Sequence, residues 1–342
     1  MKVKKRILLT GASGTVGFQV LKQLVLQADK YDITVFDQET KNAAKILSPY
    51  EKQVNVVYGD LTNAEEVAEV CVEQDFLIHL AAIIPPLADE QPELAYDVNV
   101  NGTRYLIQAL KQYSPNAFLM YSSSISVYGD RLNTPWIKTT DALSPSPEDH
   151  YAVTKIESEQ HIRNSGLDFC IFRLAAIMGT SNHKPSGIMF HMPLATAMEI
   201  LTPEDTARAF VNGLAKRSEL SGKTFNLGGG ALCRISYQDF LSRSFNAFGL
   251  GALDFPAHAF AEKNFHCGYY ADGDELEELL HFRRDTLEHY FTKLKQSVSP
   301  IKRTMASVFR GSIKRHLLKK SEPFHALLHK DKKLSARFFN EL

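Results

Sequence analysis

The sequence predicts an α/β protein built on a doubly wound parallel sheet, followed by a smaller C-terminal lobe and a basic helical tail. Three observations predict it. Through the first 175 of the 342 residues, short apolar runs alternate with longer segments whose apolar residues recur every three or four positions, the pattern of buried strands joined by helices on both faces of a sheet. After Arg173 this rhythm gives way to text rich in Gly, Pro and Ser. The charge is divided as well: residues 301–342 hold eleven Lys or Arg against three acids, a net +8, so the formal charge of zero leaves −8 on the first 300 residues.

The strands are expected at 6–10, 33–37, 54–58, 76–80, 117–121 and 169–173, each short and apolar enough to be buried on both sides. Between the first two, Val16, Val20, Leu21, Leu24 and Val25 mark one face of a helix. Right-handed crossovers then wind the sheet both ways. Residues 179–193 read as a loop or lid. Thr202 is placed to cap a helix opening at Pro203, residues 224–227 read as a strand, and Ser236 begins another helix. The expected organisation is a main domain over 1–175, a lobe over 176–295 that shares the last sheet elements, and an amphipathic tail over 296–342.

Bulk properties exclude several classes. With 44% hydrophobic and 23% charged residues, the chain is globular rather than disordered. Cys71, Cys170, Cys233 and Cys267 are scattered, with neither metal-ligand nor disulfide-framework spacing. The apolar run near the N-terminus is too short for a signal peptide, and no stretch reaches the length of a membrane span. A cytoplasmic protein is expected, able to sit peripherally at a membrane surface through its tail.

The chemistry-bearing residues follow the strand ends. Gly11-Ala-Ser13-Gly14-Thr15-Val16-Gly17 lies between the first strand and its helix. Such a turn brings backbone N–H groups and a positive helix end to a pyrophosphate, as in the Rossmann fold. Asp37, twenty residues beyond Gly17, suits the adenosine ribose hydroxyls and repels a 2′-phosphate, which selects NAD over NADP. Asp60 and Leu61 follow the third strand, and Ala81 and Ala82 the fourth, along the same crevice. Tyr151 and Lys155 share one helical face by their spacing, and an ammonium beside a phenol is expected to lower its pKa toward working pH. Ser122, Ser123 and Ser124 end the fifth strand above the same crevice.

In these motifs the chain resembles the extended short-chain dehydrogenase/reductase family, the NAD-dependent epimerase/dehydratase group. The match runs from Thr10-Gly-x-x-Gly-x-x-Gly17 through Asp60-Leu61, His79-Leu-Ala-Ala82, Asn99-x-x-Gly102-Thr103 and Ser124-x-x-Val-Tyr-Gly129 to Tyr151-x-x-x-Lys155. Counting Phe225-Asn226-Leu227-Gly228, it covers roughly residues 5–230. The resemblance implies that Ser124 orients the substrate, Tyr151 is the acid/base, Lys155 binds the nicotinamide ribose and Asn99 supports the cofactor crevice. Hydride would pass between nicotinamide C4 and a secondary alcohol or ketone carbon, in a substrate that is a sugar or sugar nucleotide.

Two departures bear on the substrate. Where sugar dehydratases of the family usually carry Thr-Asp-Glu, this chain has Ser124-Ile125-Ser126, which removes the acid pair for dehydration. Where sugar-nucleotide epimerases carry a phosphate-holding Asn three residues after an Arg, it has Arg173 and then Ala176. Between 179 and 202, Lys184 is the one Lys or Arg, with His183 and His191 as the other anion-binding candidates. A smaller or less charged substrate is the competing expectation. Two further readings are a non-catalytic NAD-binding regulator or scaffold, and a dehydrogenase of a small alcohol held at a membrane by its tail.

In the tail, Ile301, Met305, Val308, Phe309, Ile313 and Leu317 form one stripe among Lys and Arg. That pattern suits packing on the acidic body of its own chain or of a dimer mate, an anionic membrane surface or an acidic partner. A homodimer is the expected assembly. Nucleic-acid binding is not expected, since no recognition module accompanies the charge.

Overall fold

The computed structural model describes residues 3–180 and 185–340. In chain order its strands are β1 (Lys5–Thr10), β2 (Tyr31–Asp37), β3 (Asn55–Tyr58), β4 (Phe76–His79), β5 (Phe118–Ser124), β6 (Trp136–Ile137), β7 (Asp168–Leu174), β8 (Ala176–Ile177), β9 (Ala197–Leu201), β10 (Lys223–Leu227), β11 (Arg234–Ser236) and β12 (Tyr269–Tyr270). Seven form one sheet in the order β10-β7-β5-β4-β1-β2-β3, and every pair in it is parallel. The chain runs outward from β1 to β3, then crosses back to β4. The reversal opens a crevice at the carboxyl ends of β1 and β4, where such sheets bind ligands.

The alternation along β1 sets the two faces. Ile7 and Leu9 join the core under helices α1 (Thr15–Val25) and α6 (Pro203–Gly213), whereas Leu8 joins the core under α3 (Ala64–Val70) and α4 (Gly102–Tyr113). Helix α2 (Lys41–Leu47) covers β2 from the first face, and α5 (His150–Arg163) contributes Ile162 to the second. Thr202 caps α6 as expected, accepting from Asp205 N at 3.2 Å. The sequence places five of the six early strands to within two residues at each end. The sixth, β5, runs three residues further because its ladder with β7 continues to Ser124, opposite Leu174. Its serines end the apolar run without ending the strand.

The lobe has its own core. Helices α7 (Tyr237–Phe248) and α8 (Leu287–Ser297) supply Phe240, Phe245, Tyr290 and Phe291, packed with Met198 and Ile200 of β9. Strand β10 lies within the main sheet, so the lobe is interleaved with it. Residues 269–270 form β12 and pair with β6. Cys71, Cys170, Cys233 and Cys267 are free and buried.

The tail folds as α9 (Pro300–Val308), α10 (Arg310–Leu318), α11 (Glu322–Leu328) and α12 (Lys332–Phe338). The single stripe read from the sequence divides at Phe309. Leu317 is buried in the lobe core and Ile313 packs against it, while Ile301, Met305, Val308 and Phe309 remain exposed. Further on, Phe338 and Phe339 are buried beside Ala261. Among the described residues no helix is long and apolar enough to cross a membrane.

Candidate active site

The glycine turn after β1 is closed to side chains for backbone reasons. Gly11 has φ +74°, and a Cβ there would stand 2.7 Å from Ala81 Cα. A Cβ on Gly17 would stand 2.0 Å from the Gly11 carbonyl oxygen. Gly14 caps α1 with no side-chain bond, and the first turn holds no acid, so the positive end of the helix is open to an anion. Gly14 and Thr15 are exposed at the crevice lip, and Val16 packs into the core behind them.

Asp37 ends β2 against this turn. Its carboxylate accepts from Ser13 N at 2.7 Å, Ser13 Oγ at 3.0 Å and Gln38 N at 2.9 Å. Asp60 accepts from Thr62 N at 2.8 Å, and its own N–H donates to Glu66 at 2.7 Å. Leu61 is buried beneath Gly102, where a Cβ would lie 3.0 Å away. Ala81 N donates to Thr10 Oγ1 at 3.3 Å, and Ala81 and Ala82 are half-buried. Asn99 is buried and works as a brace: its amide bonds both backbone groups of Ile83, at 2.8 and 3.0 Å, and donates to Thr154 Oγ1 at 3.0 Å. It thereby ties the segment after β4 to α5.

The second cluster sits where β5 meets α5. Ser124 holds the last ladder position of β5, and its Oγ accepts from Ser126 N at 3.1 Å. Asp149 caps α5 by accepting from Ala152 N at 2.8 Å and stands 3.0 Å from His266 Nδ1. One turn into the helix, Lys155 is buried and donates to the Ser122 carbonyl at 2.8 Å, with its ammonium 5.6 Å from the centre of the Tyr151 ring. Tyr151 and Lys155 are therefore neighbours, as the spacing predicts, at the end of β5 that carries Ser124.

Their protonation differs from the expectation. Burial pushes the Tyr151 phenol above its ordinary range, the Ser124 hydroxyl nearby pulls it back in part, and the Asp149 charge adds to the rise. Lys155 is itself pushed down to about 7 by burial, with Glu159 opposing. Desolvation is the largest cause of both shifts.

Glu159 was not singled out in the sequence, although it continues the four-residue spacing of Tyr151 and Lys155. It is buried and accepts from Ser123 Oγ at 2.6 Å, Arg173 Nε at 2.9 Å and Arg173 Nη2 at 2.7 Å. Arg173 Nη1 donates to Tyr128 Oη, which donates to Asn226, whose amide donates to Asp272, at 2.7, 2.7 and 2.8 Å. The chain of bonds links α5 to β7, β10 and the lobe. His183 and Lys184 lie outside the described residues. His191 pairs with Glu322 of the tail at 2.9 Å.

A cleft of about 530 Å³ opens beside Tyr128, Arg131, Asp141 and Ser144. A smaller cavity of about 70 Å³ is shared by Pro85, Asp149, His191, His266 and Phe338, so it joins the segment after β4, the cap of α5, the lobe and the tail.

The model of the NAD dependent epimerase/dehydratase family matches residues 7–228. A dTDP-glucose 4,6-dehydratase of Mycolicibacterium smegmatis is 30% identical over 163 residues, covering 46% of this chain and 48% of that enzyme. A D-erythronate dehydrogenase of Cupriavidus necator is 25% identical over 252 residues, covering 65% and 76%. The chain thus spans about half the length of the first of these relatives. A crystal structure of the dTDP-glucose 4,6-dehydratase DesIV of Streptomyces venezuelae, with NAD and TYD bound, superposes with a TM-score of 0.69 at 20% identity, covering 85% of this chain and 96% of that one.

Proposed function

The chain belongs to the NAD dependent epimerase/dehydratase family, of extended short-chain dehydrogenase/reductase type, and we propose that it transfers a hydride between NAD and a secondary alcohol or ketone, with Tyr151 as the acid/base. The observation that carries this reading is the buried Lys155 ammonium, one helix turn beyond Tyr151, 5.6 Å from its ring centre and bonded to the Ser122 carbonyl near the end of β5.

The residues present fit a dinucleotide. Gly11 and Gly17 admit no side chain, the N-terminus of α1 is open, and the Asp37 carboxylate stands at the end of β2 where ribose hydroxyls are bound in this fold. Gly11, Ser13, Gly14, Thr15, Val16 and Gly17 would hold the pyrophosphate; Asp37 the adenosine ribose; Asp60, Leu61, Ala81 and Ala82 the crevice walls. Asn99 keeps one of those walls in place through Ile83. The nicotinamide supplies or accepts the hydride.

In the oxidative direction the Tyr151 oxygen, as phenolate, takes the substrate's hydroxyl proton as the neighbouring carbon gives up its hydride; in the reductive direction Tyr151 returns that proton to the carbonyl oxygen. Ser124 donates to the same substrate oxygen and fixes it against Tyr151. A charged Lys155 stabilises the phenolate, which offsets the burial that raises the phenol in the protein alone.

Dehydration is not proposed, although two of the compared enzymes are dehydratases. Ile125 and Ser126 follow Ser124 and both are buried, so no acid faces the substrate from those positions. Ala176 likewise offers no amide to a phosphate. That second absence favours a substrate smaller or less charged than a sugar nucleotide, as erythronate is in the Cupriavidus enzyme's name. The test is a panel of sugar acids, other small secondary alcohols and sugar nucleotides, assayed with NAD by nicotinamide absorbance and by product chirality. Turnover on a secondary alcohol, lost in Tyr151→Phe while NAD binding persists, supports the reading. NAD-independent turnover, or full turnover by Tyr151→Phe, overturns it.

A further inference from the structure

The tail presents a second feature, independent of the hydride-transfer site. From His289 to Ser321 the chain contains nine Lys or Arg and no Asp or Glu. Helix α9 stands within this stretch and has no buried residue. Its large apolar side chains are exposed on one face: Ile301 at 74%, Met305 at 56% and Val308 at 72%, with Phe309 at 55% closing the turn. Spacings of four from Ile301 to Met305, three on to Val308 and four from Met305 to Phe309 keep them together. Ala306, on another side of the helix, packs toward the lobe core, so the helix is seated on the body and turns its apolar face outward. Lys302 is exposed beside that face, and Arg303 and Arg310, exposed as well, run past Gly249 and Gly251 of the body.

We infer that this face is a docking surface for an anionic membrane. An amphipathic helix with a wide apolar face and a cationic border lies in the headgroup plane of such a membrane, its apolar side chains below the charge layer and its cations against the phosphates. The charge favours lipid over a protein partner. A folded partner matches charges individually, whereas an acid-free run of 33 residues suits a continuous negative surface. A second copy of this chain fits less well, because α9 would have to meet a different, acidic patch on its mate. That contact is heterologous and closes into a ring or propagates. The cations also lie beside the half of the stripe that is exposed. Where the stripe turns inward, Lys314 is engaged by Asp254 and the Ala252 carbonyl.

Co-sedimentation of the full chain with vesicles tests this. One set is phosphatidylcholine alone, and the other is phosphatidylcholine with phosphatidylserine. Binding to the anionic set should be about ten-fold tighter or more, and should weaken steeply with added salt. A Met305→Glu/Phe309→Glu variant should lose most of that binding, because both side chains are exposed and their replacement leaves the fold intact, as circular dichroism would verify. Equal binding to both vesicle sets overturns the proposal, as does unchanged binding of the variant. Light scattering that finds a concentration-dependent oligomer in the parent and not in the variant, without vesicle binding, assigns the face to a second copy and equally overturns it.

Discussion

Glu159 and Arg173 face one another across the interior with Oε2 and Nη2 2.7 Å apart, their side chains 1% and 4% exposed. One lies on the helix that carries Tyr151 and Lys155, the other on β7. Burial alone would raise the Glu159 carboxyl, but hydrogen bonding and charge from Arg173, helped by Ser123 and Arg163, hold it below the usual range. Removing one member leaves the other charged in a dry site. Glu159→Ala should therefore cost about 3–5 kcal/mol in urea unfolding. A double variant with Arg173→Met should recover part of that loss, since the uncompensated cation goes too. A double variant no more stable than Glu159→Ala would contradict the account.

Tyr151→Phe removes a single oxygen from a partly buried side chain whose ring packing is kept. Turnover should fall by about 10²–10⁴-fold or more, the usual share of a positioned acid/base. NAD affinity, read by calorimetry, should stay close to the parent value, because the glycine turn and Asp37 lie on other elements. Lys155→Met should lose both turnover and cofactor affinity. A Lys155→Met variant that binds NAD normally would remove the ribose-binding role from Lys155.

His79 predicts the acid behaviour of the fold. It is buried between Thr10 Oγ1 at 2.7 Å and Thr103 Oγ1 at 3.0 Å. Burial, with Lys155 nearby, pushes it down to about 3. Between that value and its ordinary 6.5 the unfolded chain binds a proton that the native chain refuses, so stability falls as pH falls through this window. One such proton contributes about 1.4 kcal/mol per pH unit. His79→Gln, which keeps a donor and an acceptor, should flatten the acid side of the stability curve by up to that slope while changing little above pH ~7. Equal slopes in both proteins would show that His79 carries no such linkage.

Particular residues show what the sequence could and could not disclose. Gly11, Gly14 and Gly17 were legible because a tight strand–turn–helix junction requires glycine at fixed offsets. Tyr151 and Lys155 were legible because helix geometry converts a four-residue spacing into adjacency. The partners of Glu159 were not, because Arg173 is 14 residues away and reaches it through strand pairing that only the folded sheet creates. The Tyr151 phenol was misread for a related reason: proximity to Lys155 can be inferred from spacing, whereas the depth of burial that raises the phenol comes from the tertiary fold. In the tail, periodicity gave one continuous stripe, but it cannot say that the helix breaks at Phe309 and turns one half inward.

The docking of the tail's end depends on packing more than on its positive charge. Its ion pairs, Arg337 with Glu148 and Glu322 with His191, are partly exposed, and pairs of this kind contribute about 1 kcal/mol or less. Phe338 is 3% and Phe339 1% exposed, packed with Ala261, Leu327 and Leu334, and truncating a buried Phe costs about 3–5 kcal/mol where the site cannot collapse. Arg337→Ala should therefore leave the end of the tail as resistant to limited proteolysis as in the parent, at low salt and high. Phe338→Ala should release it locally, giving early cleavage between 320 and 340 while the sheet stays intact. Early cleavage in Arg337→Ala, with protection retained in Phe338→Ala, would reverse the assignment and make charge the force that seats this segment.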